Sequence, residues 1–515
     1  MDISSFPLNL TTIISLLAPF TIFLLLVTKW NKSKQARSIN LPPGPKTLPI
    51  IGNLHHISSL PFRSFRDLSK HYGPIMHLMF GQVPAIVVSS PEIAREVLKD
   101  NDPNFADRPI LMVVKIMWYN NANIVTSPYG GYWRQMRKIC ILELLSTKNV
   151  RSFGTIRSDE VSRVIETIRF SSGKPVNLTE MVSKMTSSIT CRAAFGKVCK
   201  DNDALIKIIE DAVRMLGGFE IADLFEPSMI VSVLSWPSKM RLVRMRRKLD
   251  LILDSIIDEH KENLSRMKRE GEGLGRRGNG EFGNEDLIDV LLRVKESGEL
   301  EFPIGNDNIK AIIFDMFAAG TDTSSTTINW TMAELIRNPS AMTKAQAEVR
   351  RAFQGTKTIE EHDVHTLKYL KLVIRESLRL HPPIPIIPRA SRDERIINGY
   401  TIPAKTKVLV NNWAMQRDPK YWKNAENFEP ERFESNGPDF VGGDFQFLPF
   451  GAGKRMCPGM TFGLASVELP LARLLYSFDW KVTDSKNLDM IEGTGITAAR
   501  KDDLVVIATP YEPSA

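Results

Sequence analysis

The chain opens on a long stretch without charge. Phe6 to Val27 has no ionisable side chain, and Ile13 to Val27 is mostly apolar, with Pro19 as an expected kink. About 20 apolar residues cross a bilayer core, so this run predicts a transmembrane helix. Lys29, Lys32, Lys34 and Arg37 follow at once. Positive flanks stay cytoplasmic, which places the N-terminus in a lumen and the rest of the chain in the cytosol. A cleaved signal peptide is the alternative, but it would carry its basic residues before the apolar run and end in a small-residue cleavage site. Neither feature is present. The predicted division is therefore an anchor over 1–28, a basic and proline-rich linker over 29–45, and one large domain over 46–515. Leu41-Pro42-Pro43-Gly44-Pro45 makes the linker's end a rigid, non-helical hinge.

Within the large domain, helical periods dominate. Pro84 to Ser90 reads as a strand, and Pro91 to Lys99 as a helix with proline at its start. Phe105 to Val125 has no clean period. Asp203 to Leu216 and Met240 to His260 are predicted helices. The connection between them, Ile221 to Trp236, is unusually apolar, so it either packs into the core or dips into a membrane surface. Lys268 to Glu285, rich in Gly, Arg and Glu, is predicted as a flexible surface loop. Asp307 to Arg337 is the longest helical run, with Asn306 or Asp307 as its expected cap and Asn338-Pro339 as its stop. A last apolar helix is predicted over Thr461 to Phe478.

Composition narrows the class. The 515 residues are 43% hydrophobic and 24% charged, so a sizeable core can form and wholesale disorder is excluded. Four cysteines, Cys140, Cys191, Cys199 and Cys457, are too few for a disulfide framework and suit a reducing compartment. The net charge of +8 comes without a long basic block, so nucleic acid is not an expected partner. A diffuse basic excess suits an anionic membrane face or an acidic protein.

Four stretches carry candidate chemistry. In Phe450-Gly451-Ala452-Gly453-Lys454-Arg455-Met456-Cys457-Pro458-Gly459, a cysteine sits in a glycine-rich loop just before a helix start. Free N–H groups and the positive dipole end there favour a thiolate, a strongly donating ligand for iron. Pro458 has no N–H, so bonds to the sulfur must come from Gly459 or Met460. By itself Cys457 would also fit a buried structural cysteine. The centre of the longest helix, Ala318-Ala319-Gly320-Thr321-Asp322-Thr323-Ser324, is locally weak. Glycine costs about 1 kcal/mol there, and the hydroxyls compete for backbone bonds. Thr323 can bond the Ala319 carbonyl four back and open a groove, beside the acid of Asp322. Trp133 and Arg137 share a helix face, as an ordinary stack would. Glu376 and Arg379 also share one, and Phe428-Glu429-Pro430-Glu431-Arg432-Phe433 follows later.

Together these stretches resemble the haem-binding loop, oxygen-activation helix and ion-pair motifs of the cytochrome P-450 superfamily, the haem-thiolate monooxygenases. The likeness covers roughly residues 41 to 515 in the family's order. It is nearest to plant microsomal members of the seventy-one clan, through Leu-Pro-Pro-Gly-Pro, Ala-Gly-Thr-Asp-Thr-Ser, Pro-Glu-Arg-Phe and the cysteine loop. One departure is Pro388-Arg389-Ala390, where many relatives have an acid after the arginine.

The resemblance implies a mainly α fold with small β-sheets and a haem-thiolate catalytic domain behind a single membrane anchor. It implies haem b, with Cys457 as axial ligand and Trp133, Arg137, Arg389, Phe450, Gly451, Arg455 and Gly459 around the cofactor. Asp322 and Thr323 would form the proton relay to bound O2, and Glu376, Arg379 and Arg432 a buried structural network. The implied pocket takes in Leu111-Met112-Val113, Ile312, Met316 and Ala319 on the long helix, Ile384, Ile386 and Ile387, and Ile496. Asp315 near the same face either orients a substrate hydroxyl or bonds within the kinked helix. NADPH would supply electrons through a cytochrome P-450 reductase, since no dinucleotide fingerprint occurs in the chain, with cytochrome b5 as a further partner. The implied setting is the endoplasmic reticulum membrane, and the implied reaction is hydroxylation of a compact, hydrocarbon-rich plant metabolite, a terpenoid. An oxygen-independent haem-thiolate isomerase or dehydratase would not need Asp322 and Thr323, nor would a non-catalytic haem carrier or sensor.

Overall fold

The computed structural model describes residues 39–198, 200–269, 285–356, 358–434, 437–483 and 488–512. The chain enters the body along its proline segment. The Pro43 carbonyl accepts the His77 N–H at 2.8 Å. Gly44 lies so close that a Cβ there would stand 2.0 Å from the His77 carbonyl oxygen, a contact only glycine avoids. The hinge is thus fastened to the first sheet.

In chain order the principal elements are α1 (Pro61–Tyr72), β1 (Ile75–Phe80), β2 (Val83–Val88), α2 (Pro91–Arg95), α3 (Met112–Met117), α4 (Gly131–Glu143), α5 (Gly154–Phe170), β3 (Pro175–Asn177), α6 (Leu178–Phe195) and α7 (Asn202–Met215). There follow α8 (Met229–Leu234), α9 (Trp236–Arg269), α10 (Leu287–Ser297), α11 (Asn306–Arg337), α12 (Pro339–Ala352), α13 (Lys368–Leu380), β4 (Ile387–Ala390), β5 (Lys407–Val410), α14 (Met460–Ser477), β6 (Phe478–Val482) and β7 (Val505–Pro510).

The β-branched, apolar run of β2 pairs antiparallel with β1, Ile75 opposite Val88, and parallel with β5, Ala85 opposite Lys407. β4 closes this four-stranded sheet antiparallel to β5, Ile387 opposite Val410. A three-stranded sheet runs in the order β3, β7, β6. Arg395–Ile397 and Tyr400–Ile402 pair antiparallel as a two-stranded sheet. Helices form most of the remainder, and α11 runs through their centre against α6, α13 and α14. Most of its residues from Ile309 to Leu335 are buried, hydroxyl and charged ones included, so it is enclosed nearly all round and has no single wet face.

Most predicted elements stand within a few residues of their places, but the helix expected over Met240 to His260 spans Trp236–Arg269, nine residues beyond its expected end. The helix expected to reach Lys99 is α-helical only to Arg95 and continues as a wider π turn over Glu96–Asp100. The cap of α11 differs from expectation. Gly305 holds the cap position in extended backbone, and the Asn308 side chain accepts its N–H at 2.8 Å. Ile221 to Trp236 divides between the two expected outcomes: Leu224 is buried, whereas Met229, Ile230, Val233, Leu234 and Trp236 are exposed. Cys140 and Cys191 are buried and in no disulfide, and Cys199 lies outside the described residues. Among the described residues no helix is long and apolar enough to cross a membrane. The apolar run Phe6 to Val27 and most of the segment after Lys268 also lie outside them.

Candidate active site

The cysteine loop is built on two left-handed glycines, Gly451 (φ 70°) and Gly453 (φ 71°). A side chain at Gly453 would meet the Leu98 carbonyl oxygen at 2.1 Å, so both conformation and space demand glycine there. The Cys457 N–H donates to the Phe450 carbonyl at 3.0 Å and closes the loop. Gly459 then starts α14, and the thiol faces a cavity of about 330 Å³. Burial pushes the thiol's pKa up, while the Gly459 N–H bonded to it and the guanidinium of Arg137 pull it back. The amide at Gly459 is one of the two donors the sequence allowed.

Four arginines border the same cavity: Arg108, Arg137, Arg389 and Arg455. Arg137 donates to the Met456 carbonyl at 2.6 Å, and Arg389 to the Ala452 carbonyl at 3.3 Å. Arg455 donates to the Ala106 carbonyl at 2.6 Å and the Ile124 carbonyl at 3.1 Å. Burial and then mutual repulsion push Arg389 and Arg455 down to about 9, and Arg108 well below its ordinary value. The Nε atoms of Arg108 and Arg389 are buried without a partner. Crowded cations with unpaired donors fit an anionic group, and the two propionates of haem supply one at the edge of a flat, otherwise apolar ring. The residues present therefore fit haem.

Trp133 differs from the expectation. Its indole N–H donates to the Ile124 carbonyl at 2.9 Å, and its ring is not part of the cavity wall. The ring instead backs the cradle, 4.5 Å from the Arg455 guanidinium and 5.3 Å from that of Arg137. Arg108 was not singled out from the sequence. It stands in the stretch from Phe105 to Val125 that has no clean period.

Opposite lies the middle of α11. The Thr323 hydroxyl donates to the Ala319 carbonyl at 2.7 Å, the local bond the sequence suggested. Thr327, Thr331 and Ser325 also bond carbonyls three or four residues back, so hydroxyls loosen this part of the helix repeatedly. At Gly320 a Cβ would approach the Thr190 hydroxyl of α6 to 3.0 Å, so glycine permits the close helix crossing. Asp322 borders the cavity with its Oδ2 unpartnered. Burial lifts its pKa to about 6, against the pull of the Thr497 hydroxyl.

Met316, Ala319, Ile384, Ile387 and Ile496 line the cavity. Leu111, Met112, Val113, Ile312 and Ile386 do not, and each has a physical reason. Ile386 precedes β4 next to Ile387, where successive side chains alternate, and it packs against the Phe62 and Trp413 cluster. Ile312 shares the face of Thr323, but 11 residues at about 1.5 Å each carry it past the cavity into the core. Leu111 to Val113 turn toward the segment after α7. Leu111 lies against Gly218, and the Met112 N–H donates to Asp223 Oδ1 at 2.7 Å. Ile124, Val125, Val213 and Leu216 form wall instead, and sequence reasoning missed them because spacing does not show which loop or which helix face the fold turns inward. Asp315 also borders the cavity. Neither expected role describes it, since its carboxylate bonds the loop at Asn123, Ile124 and Val125.

On the far side of the cysteine loop, Glu376 Oε2 accepts from Arg379 Nε at 2.7 Å, and Glu376 Oε1 from Arg432 Nε at 2.9 Å. Glu376 and Arg379 are completely buried. Arg379 also donates to the carbonyls of Gln416, Ala425 and Asn427, tying α13 to the turn that carries Arg432.

A mainly helical fold in which one largely apolar cavity joins a thiol loop, an arginine cradle and a hydroxyl-rich helix defines a haem-dependent oxygenase. The chain belongs to the cytochrome P450 family, whose model, described as "Cytochrome P450", matches residues 42–506. It is 54% identical to premnaspirodiene oxygenase of Hyoscyamus muticus, over 96% of this chain and 97% of the relative. It is 53% identical to 5-epiaristolochene 1,3-dihydroxylase of Nicotiana tabacum, again over 96% and 97%. A solved zebra fish cytochrome P450 structure with abiraterone superposes with a TM-score of 0.73 at 25% identity, over 88% of this chain and 100% of that one. Membership at this level makes the protein a monooxygenase and implies haem with a cysteine thiolate and O2.

Proposed function

We propose that the protein hydroxylates a compact, hydrocarbon-rich terpenoid, with electrons from NADPH delivered by a cytochrome P450 reductase. The observation that carries this reading is the cavity wall. On the substrate side it is Ile124, Val125, Val213, Leu216, Met316, Ile384, Ile387 and Ile496. Such a wall selects by shape, at about 25 cal/mol per Å² of apolar surface buried, and penalises unpaired polar groups on the ligand. Relatives about half identical to this chain are named for oxidising premnaspirodiene and 5-epiaristolochene, which supports a terpenoid substrate here.

Haem bound between the cysteine loop and α11 supplies O2 activation and the transfer of one oxygen atom. Arg108, Arg137, Arg389 and Arg455 would hold its propionates, and Cys457 would hold the iron, with Gly459 N–H moderating the sulfur's charge. Thr323 and Asp322 would pass protons through the groove that the Thr323–Ala319 bond opens. Asp322 suits this work, because a carboxyl near 6 both gives and takes a proton near neutral pH. Glu376, Arg379 and Arg432 act on folding only.

The same proposal gives residues 1–28 as the anchor, 29–45 as linker and 46–515 as the catalytic domain on the cytosolic face of the endoplasmic reticulum. The exposed apolar side chains of α8 suit contact with that membrane's surface. Cytochrome b5 is a second electron donor in this reading. Microsomes carrying the protein and reductase, supplied with NADPH, should oxidise sesquiterpene hydrocarbons. Turnover of phenolic acids or glycosides in preference to these would refute the terpenoid assignment.

A further inference from the structure

Between α3 and α4 the chain has no regular structure, yet it supplies part of the cavity wall. Its peptide groups must find acceptors outside themselves. Asp315 on α11 provides them: Oδ1 accepts the Asn123 amide at 2.8 Å, and Oδ2 accepts the N–H groups of Ile124 and Val125 at 2.8 and 3.1 Å. Asp315 and Asn123 are both fully enclosed, at 2% and 0% exposure. Asn123 is locked in turn by the Thr126 hydroxyl at 2.7 Å.

The other side of Ile124 faces the arginine cradle. Its carbonyl accepts Trp133 Nε1 at 2.9 Å and Arg455 Nη1 at 3.1 Å. One residue therefore joins α11 through its N–H to the cradle through its C=O. Just upstream, Tyr119, Asn120 and Asn121 all have left-handed backbone (φ 51°, 57° and 63°). Such strain persists only where surrounding contacts over-determine the path. The contacts here are the Tyr119 hydroxyl on Asp250 at 2.8 Å and Lys310 of α11 on the same carboxylate at 3.0 Å. The loop is held by α11 directly at one end, and at the other by Asp250 of α9, which Lys310 of α11 bonds in turn.

We propose that Asp315 is a positioning residue for oxidation. It fixes the Asn123–Val125 wall against the cofactor cradle and thereby sets where the substrate lies relative to Thr323. This rests on the monooxygenase reading given above. With three N–H donors already on it, the carboxylate is a poor receptor for a substrate hydroxyl, so its influence passes through Ile124 and Val125.

The test is Asp315→Asn in the full chain with reductase. The variant keeps the shape but turns an amide N–H₂ toward at least one of the three donors. Haem content, read from the carbon-monoxide spectrum, should stay within about twofold of the parent. Product per NADPH should fall roughly tenfold, and the ratio of regioisomers should shift, since an ångström of misplacement is costly to a reaction. Asn123→Ala removes a single bond of the three and should move both readouts in the same direction, less far. It decides the question alone if Asp315→Asn does not fold. Amide hydrogen exchange at Ile124 and Val125 reads the clamp without substrate and should accelerate in both variants. Unchanged exchange, or an unchanged regioisomer ratio at parental coupling, would overturn the proposal. A parent protein that gives no oxygenated terpenoid would instead refute the substrate assignment, and the exchange result would still judge the clamp.

Discussion

Glu376→Gln offers the sharpest test of how this fold separates structure from chemistry. The parent carboxylate accepts four bonds: two from Arg379 at 2.7 and 2.8 Å, one from Arg432 at 2.9 Å and one from the Glu429 N–H at 2.8 Å. In plain terms, one oxygen serves Arg379 alone and the other serves Arg379, Arg432 and Glu429. Glutamine leaves one oxygen and puts an N–H₂ against a guanidinium, in a site with no solvent exposure. Removing one partner of a buried ion pair costs about 3–5 kcal/mol. Unfolding entropy is about 2.1 cal/mol/K per residue, so a domain spanning residues 42–506 unfolds with about 1 kcal/mol/K. The melting temperature should therefore fall by about 3–5 °C. The assay is paired: thermal melting followed by circular dichroism, and turnover per haem measured only on the protein that retains haem. Stability should fall while turnover per haem stays near the parent's. Parental stability with lost turnover would refute the argument, because Glu376 would then be acting on the reaction.

Cys457→Ser should lose the red-shifted carbon-monoxide band of a thiolate-ligated haem, since a hydroxyl is a poor soft donor; retention of the band would assign the ligand elsewhere. Thr323→Ala should keep haem but release peroxide at the expense of product, measured as product per NADPH. Asp322 has a pKa of about 6 in the fold against an ordinary 3.8, so the folded state binds more protons in that window and loses stability as pH rises through it. Asp322→Asn should flatten this loss in melts taken between pH 4 and 7, and should lower coupling at neutral pH. If the exposed Lys454 and Lys138 form the proposed docking face for an acidic reductase, coupled activity should fall with added salt, since their charge is screened within about 8–10 Å; a salt-independent rate would refute that face.

Much of the site was legible in the sequence because it rests on local rules. The glycines and cysteine of 450–459 lie within one loop, where a short-range pattern states both backbone shape and ligand chemistry. Thr323 bonds four residues back on its own helix, so its partner could be named from spacing. Glu376 and Arg379 share one helical turn, and the family resemblance supplied Arg432. What spacing could not state was direction across the fold. Whether Leu111 or Val125 faces the cavity depends on how a loop without periodicity is pulled over its neighbours. Ile386 and Ile387 differ by one residue, yet only the placing of β4 against β5 decided which of them looks inward. Ile312 kept the right face but lay too far along the axis, a limit set by the length of the cavity. Arg108 joined the cradle, and Trp133 stood behind it, because buried donors settle on whichever acceptor the tertiary packing brings within reach. Asp315 shows the same cause most plainly: a helix period placed it near the cavity, and only the approach of a distant loop with three unpaired N–H groups decided what its carboxylate does.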